Sequence, residues 1–190
     1  MSGKRSDYIL FQPAKQIDYL YLLALYDLAS YNPERKVFDS ICYSSVSDLA
    51  KSLDVSPSTM TRILNSPNYY PYFTVNKEAK TITLKNNFQG ASLPFVQLLP
   101  EEVALMRKVK EPMFSKYLIY MKYYCGYSKK KSTDFTAKQF LSAYGYSIKA
   151  NASFSALGRY NNILESNGLI TIKTYFDDKK HTRNEYSWNR

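Results

Sequence analysis

With a single histidine, His181, this chain cannot build a histidine-pair metal site, and its two cysteines, Cys42 and Cys125, stand far apart with no CxxC spacing. Neither zinc ligation nor a disulfide framework is indicated, and both thiols are expected to be free and buried. A GxxxxGK[ST] phosphate loop is missing too, so no motif points to nucleotide-driven work. Long apolar runs are lacking: the stretch at residues 19–26 is bounded by Asp18 and Asp27 and falls short of the roughly 20 apolar residues that span a bilayer. The first seven residues are polar and lead into no signal-type apolar core, which makes a cytoplasmic protein the expectation. The adjacent carboxylates Glu101-Glu102 and Asp177-Asp178 fall at a helix start and a turn, where dipole complementarity and solvation account for them. These absences favour a protein that is not an enzyme and carries no cofactor or metal.

Positive charge and tyrosine are what the chain has in excess. Its 190 residues include 26 Lys and Arg against 16 Asp and Glu, a formal net charge of +10, and 19 tyrosines. Unbalanced Lys and Arg attract polyanions and speed encounter with them. The charge is uneven: residues 1–95 hold 10 Lys and Arg against 8 Asp and Glu, net +2, whereas residues 96–190 hold 16 against 8, net +8. With 45% hydrophobic and 22% charged residues, the composition is that of a folded soluble protein, long enough for two small domains.

The clearest local pattern is at residues 46–65. Leu49, Ala50 and Leu53 form one apolar face at helical spacing, Val55 plugs a turn, and Met60, Ile63 and Leu64 form a second face. Ser45 with Asp48 reads as a capping box, and Ser56 before Pro57 as an N-cap with proline at the first helical position. Asp54 falls where the turn needs a left-handed residue, a place usually given to glycine. With the second apolar face turned inward, Ser58, Arg62 and Asn65 point outward, flanked by Thr59 and Thr61, side chains suited to base edges and phosphates. Residues 72–75 and 81–84 then alternate as two strands around the polar turn at 76–80, which carries Lys77 and Lys80.

The same plan recurs in the second half. Residues 16–31 and 112–124 are two tyrosine-rich apolar helices, each opening a module. Thr136 with Gln139 reads as a capping box before Phe140, Leu141 and Tyr144, and Gly145 ends that helix. A helix over 151–167 gathers Phe154, Leu157, Tyr160 and Leu164 on one face and leaves Ser155, Arg159 and Asn162 opposite, with Lys149 and Asn151 at its start. Asn167-Gly168 stops it; residues 169–176 and 183–188 then pair around a tip holding Lys179, Lys180 and His181, with Arg183 just beyond. Lys129, Lys130 and Lys131 form the densest basic run and are a phosphate-clamp candidate. Residues 86–100, with one glycine and two prolines, suit a connector, although Phe95, Val96, Leu98 and Leu99 argue against a free tether. The expected division is a first domain over 1–90, a connector with a short helix over 91–111, and a second domain over 112–190.

These residues resemble tandem winged-helix proteins of bacterial plasmids, phages and integrative elements, a group that includes replication initiators and replisome-organiser N-terminal domains. The resemblance is carried by Leu49-Ala50-Lys51-Ser52-Leu53-Asp54-Val55-Ser56-Pro57-Ser58-Thr59-Met60 and its hairpin, and by residues 160–170 with theirs. It implies a mainly α fold with small β-hairpin wings (α+β), two tandem winged helix-turn-helix domains, and sequence-specific binding of double-stranded DNA in replication initiation. A DNA interface would then comprise Ser56, Ser58, Thr59, Thr61, Arg62, Asn65, Lys77, Lys80, Lys129, Lys130, Lys131, Lys149, Asn151, Ser155, Arg159, Asn162, Lys179, Lys180, His181 and Arg183. Transcriptional regulation uses the same module. The nearly neutral first half also suits a protein-docking role with replication proteins, and the tyrosine-rich helices suit cores or self-association. Stacking of unpaired bases on Tyr117, Tyr120, Tyr123 and Tyr124, near Lys116 and Lys122, is a further alternative, although the helical spacing of Tyr117, Tyr120 and Tyr124 favours a core.

Overall fold

Local signals at helix ends are obeyed almost residue for residue in the computed structural model, which describes residues 7–11, 16–32, 37–85, 94–126 and 137–189. The architecture is mixed, with helices and small antiparallel sheets, as in an α+β fold. Two compact units divide it: the first comprises the described residues within Met1–Leu10 and Gln16–Lys108, the second Phe11 and those within Val109–Arg190. Among the described residues, no helix is long and apolar enough to cross a membrane.

In the first unit, a strand Asp7–Leu10 (β1) precedes helix Tyr19–Leu28 (α1), strands Ser30–Asn32 (β2) and Val37–Cys42 (β3), helices Val46–Ser52 (α2) and Pro57–Asn65 (α3), strands Phe73–Asn76 (β4), Thr81–Leu84 (β5) and Phe95–Leu98 (β6), and helix Pro100–Val109 (α4). Asp18 caps α1 by accepting the Leu20 amide at 3.0 Å, and the helix buries Tyr19, Leu22, Leu23, Leu25 and Tyr26. The hydroxyl of Tyr69, in the turn after α3, accepts the Asp18 amide at 2.9 Å and donates to the Gln16 carbonyl at 3.3 Å. Burial pushes that phenol up to about 12. Four strands form an antiparallel sheet in the order β2-β3-β5-β4; Ile82 is opposite both Ile41 and Val75. Met60, Ile63 and Leu64 of α3 are buried together with Leu49 and Ala50 of α2.

The second unit runs through helix Pro112–Met121 (α5), a single π-type turn Lys122–Gly126, helices Ala137–Ala143 (α6) and Asn151–Ser166 (α7), and an antiparallel hairpin of Ile170–Phe176 (β7) and Thr182–Trp188 (β8). Tyr117 and Phe140 meet edge to face at 5.1 Å, and Phe114 meets Tyr160 in the same way at 5.3 Å, arrangements that add to area burial. A polar thread crosses this aromatic core. Tyr117 donates to Asn161 Oδ1 at 2.5 Å, and Asn161 Nδ2 donates to the Tyr186 hydroxyl at 3.3 Å, tying α5, α7 and β8.

The turns between α2 and α3 and between α6 and α7 close alike. The Val55 amide reaches the Ala50 carbonyl at 3.0 Å and the Asp54 amide reaches Lys51 at 3.2 Å; the Tyr146 amide reaches Leu141 at 2.7 Å and the Gly145 amide reaches Ser142 at 3.0 Å. This is the Schellman pattern, which needs a left-handed residue. Asp54 has φ +53° and Gly145 has φ +66°.

Several expectations are corrected. Cys42 is exposed, because strand alternation turns Ile41 inward and Cys42 outward, whereas Cys125 is buried as expected. The described part of the expected connector is structured within the first unit: β6 pairs with β1 over Asp7–Leu98 to Leu10–Phe95, and α4 follows as far as Lys108 within that unit. The first tyrosine-rich helix stops at Leu28, and β2 replaces its expected end. Tyr117 and Tyr120 are buried, and so are Lys116 and Lys122, which places these four in a core rather than on a stacking platform, whereas Tyr123 is half-buried and Tyr124, expected on the same buried face, is exposed. Leu53, Val55 and Phe154 are half-buried. Lys129, Lys130, Lys131 and the Thr136 cap lie outside the described residues.

Candidate nucleic-acid interface

Helix α3 starts where the Ser56 hydroxyl accepts the Thr59 amide at 3.2 Å. Ser56 also contacts the Ser58 hydroxyl at 2.9 Å and the Thr59 hydroxyl at 3.0 Å, so these three side chains first serve the helix end. Because Met60, Ile63 and Leu64 face the core, Ser58, Thr61, Arg62 and Asn65 lie along the exposed side. Thr61 donates to the Pro57 carbonyl at 2.9 Å, and Asn65 to the Thr61 carbonyl at 2.8 Å. Both retain acceptor capacity towards solvent.

Thr61 and Asn65 meet Lys77 and Lys80 of the β4–β5 turn, with Ser44 and Ser45 at the start of α2, around a cleft of about 340 Å³. Lys80 adopts φ +50° and donates from Nζ to the Ser44 carbonyl at 2.9 Å. Four of the residues singled out from sequence are thus gathered on one opening. Arg62 does not line this cleft; its charge opposes the upward push of burial on the Tyr21 and Tyr69 phenols. The hydroxyls of Ser44 and Ser45 donate to Asp48 and hold its carboxyl below the usual aspartate value.

On α7, Asn151, Ser155, Arg159 and Asn162 are all exposed, as is Lys149 before it. The guanidinium of Arg159 is engaged by Glu111, which immediately precedes α5, through two hydrogen bonds of 2.7 Å. The Tyr160 hydroxyl donates to the same carboxylate at 2.7 Å. Those bonds hold Glu111 below the ordinary glutamate value and raise Arg159. Arg159 is still 53% exposed, so an incoming phosphate or guanine edge would compete with Glu111 for it.

At the hairpin tip, Asp177 Oδ1 accepts the amides of Lys179 at 3.0 Å and His181 at 2.8 Å, while Oδ2 accepts Arg183 Nε at 3.0 Å. The same oxygen lies 3.5 Å from His181 Nδ1. These bonds, the His181 amide first, depress the Asp177 carboxyl. His181 and Arg183 therefore contact Asp177 while remaining exposed, and Lys179 and Lys180 are exposed as well, the latter at φ +61°.

Three features were not singled out from sequence. Glu111 was passed over because its partner is distant along the chain. Gly158 sits inside α7, one turn from Ser155 and Asn162, and a Cβ added there meets nothing within 4 Å. A glycine within a helix costs roughly 1 kcal/mol relative to alanine, and no neighbouring side chain requires one here. That glycine, inside a helical pattern, was a readable signal. Phe176, adjacent to the tip, is 73% exposed.

Among the described residues, no group of three or more His, Cys, Asp or Glu could hold a metal ion. No family model matches the chain, and no curated protein or solved structure does either.

Proposed function

We propose that the protein is a cytoplasmic, non-enzymatic binder of double-stranded DNA built from two winged helices, α3 and α7 being the base-reading elements and the β4–β5 and β7–β8 hairpins their wings. The observation that carries this reading is the repetition: each unit presents a helix, a Schellman turn, a second helix with a polar outer face, and a hairpin bearing lysines at its turn. In the first unit the order α1-β2-β3-α2-α3-β4-β5, with β3 paired to β5 and β5 to β4, supports it further, β2 being an added edge strand on β3.

Phosphates would be met by Lys77, Lys80, Lys179 and Lys180 and would set register; Thr61, Asn65, Ser155 and Asn162 would meet base edges. Residues 109–190 hold 14 Lys and Arg against 6 Asp and Glu, net +8, which makes the second unit the main source of affinity. The bare Gly158 on the exposed side of α7 fits a point where the helix closely approaches the groove. The role in replication initiation of a mobile element is drawn from the resemblance at residues 49–60 and 160–170, and regulation of transcription is its nearest alternative. The near neutrality of residues 1–95 favours a second reading for that unit, docking of a replication protein.

The test is selection of duplexes from a random pool by the full chain, followed by binding over a range of salt. Loss of Asn162 or Asn65 should cost about 1 to 3 kcal/mol and relax sequence preference, whereas loss of Lys77 or Lys179 should weaken all sequences and reduce the salt slope by about one. No enrichment, together with salt-independent binding, would defeat the proposal.

A further inference from the structure

The hairpins differ at their ends. In the first, the residues leading into the turn are the half-buried Val75 and the exposed, polar Asn76, whose side chain accepts the Ala79 amide at 3.0 Å. In the second, the corresponding strand ends in Tyr175 and Phe176, which are 41% and 73% exposed. Phe176 is opposite Thr182 and Tyr175 opposite Arg183, so the phenyl ring is at the last rung before the turn.

Its platform is stiff. Asp177 accepts from two tip amides and from Arg183, the Asp177 amide donates to the His181 carbonyl at 3.0 Å, and the Lys180 amide donates to the Asp177 carbonyl at 2.8 Å. Two rungs down the strands, the Thr174 hydroxyl donates to Asn184 Oδ1 at 3.0 Å. One of the tip's two carboxylates is thereby engaged internally, while Lys179 and Lys180 remain exposed in the same turn, three and four residues after Phe176. An apolar ring on a fixed turn with cations in that turn matches what a base step offers: a flat apolar surface between two phosphate rows.

We infer that Phe176 is a wedge that enters the stack of a DNA duplex from the minor groove at a deformable pyrimidine–purine step, with Lys179 and Lys180 on the flanking phosphates. Apolar side chains inserted this way partly unstack the step and bend the duplex, and TA and CA steps yield most readily. The second unit then distorts its site as well as holding it. This inference rests on the duplex-binding reading above.

The experiment uses the full chain and the duplexes it selects from a random pool, with 2-aminopurine placed at each TA or CA step in turn and a dye pair at the ends. The wild-type chain should brighten one step several-fold and shorten the end-to-end distance. Phe176→Ala should abolish both signals while lowering affinity no more than about tenfold, Phe176→Leu should restore part of the brightening, and Lys179→Ala should lessen the salt dependence. Because Phe176 is exposed, these variants fold, which circular dichroism checks. Wild-type binding that brightens no step, or brightening that survives Phe176→Ala, overturns the wedge and leaves duplex binding standing. Selection of no duplex at all overturns both.

Discussion

Two glycines on the same helix and its end should respond to the same substitution with opposite sign. Gly158 is within α7 and Gly168 just beyond it, and a Cβ added to either meets no atom within 4 Å. Packing therefore contributes to neither change, and backbone conformation decides both. At Gly158 alanine gains helix propensity and restricts the unfolded chain, so Gly158→Ala should stabilise by about 1 kcal/mol. At Gly168, φ is +68°, and the amides of Gly168 and Leu169 close a Schellman cap on Glu165 and Leu164 at 2.9 Å each. A left-handed alanine costs roughly 1–2 kcal/mol, offset by about 0.5 kcal/mol from the unfolded state, so Gly168→Ala should destabilise by about 1 kcal/mol. For a domain of 60–100 residues this corresponds to melting-temperature changes of about 4–8 °C, up for the first and down for the second. Thermal and urea unfolding followed by circular dichroism measure both. Changes of equal sign would refute the conformational argument. Gly158→Ala carries a further test: if α7 approaches DNA closely there, the more stable variant should bind duplex about tenfold more weakly, as overpacking of roughly 1–3 kcal/mol implies. Unchanged affinity would show that this glycine has no role at the interface.

The aromatic core of the second unit should depend on Phe140, which is fully buried against Tyr117, Tyr120 and Tyr144; Phe140→Ala should cost about 3–5 kcal/mol in urea unfolding, whereas Phe176→Ala should change stability by less than about 0.5 kcal/mol. Glu111→Gln removes one negative charge and frees Arg159, so duplex affinity should rise several-fold at low salt with only a small change in melting temperature, as is usual for exposed pairs; weaker binding would mean that Glu111 positions Arg159 rather than competing for it. Burial raises Tyr69 to about 12 and pushes Tyr72 and Tyr117 above their ordinary value. A raised acid keeps its proton in the folded state while the unfolded chain loses it, so stability holds below about pH 10 and falls between pH 10 and 12, at roughly 1.4 kcal/mol per pH unit for each such group. Urea midpoints taken from pH 8 to 12 test this, and a flat profile would contradict it. On acidification the depressed carboxyls of Asp177 and Glu111 give the opposite trend: the stability they contribute is present above the ordinary carboxylate range and lost as pH falls through their lowered values.

Helix ends were readable because their chemistry lies within three or four residues. Ser45 with Asp48, Ser56 with Pro57, and the left-handed Asp54 and Gly145 each act on a neighbouring turn, and each is where spacing predicts it. The β7–β8 hairpin was readable for the same reason, since its strands are joined by a short loop with turn residues. The strands β1, β2, β3 and β6 were not. Unlike β4 and β5, β1 and β6 are not joined by a marked turn and pair across most of the first unit's sequence; closure of a loop on that scale leaves no mark on local periodicity.

Side-chain partners divide in the same way. The sequence determined which residues of α3 and α7 face outward, because a buried apolar stripe leaves the opposite face to solvent. Tertiary structure alone decided what those outward residues meet: Thr61 and Asn65 join Lys77 and Lys80 at one cleft that Arg62 does not line, and Arg159 is held by Glu111. It also decided that Lys116 and Lys122 are buried and Cys42 exposed. Periodicity assigns a side chain to a face of its own helix or strand, but what covers that face depends on elements far away along the chain.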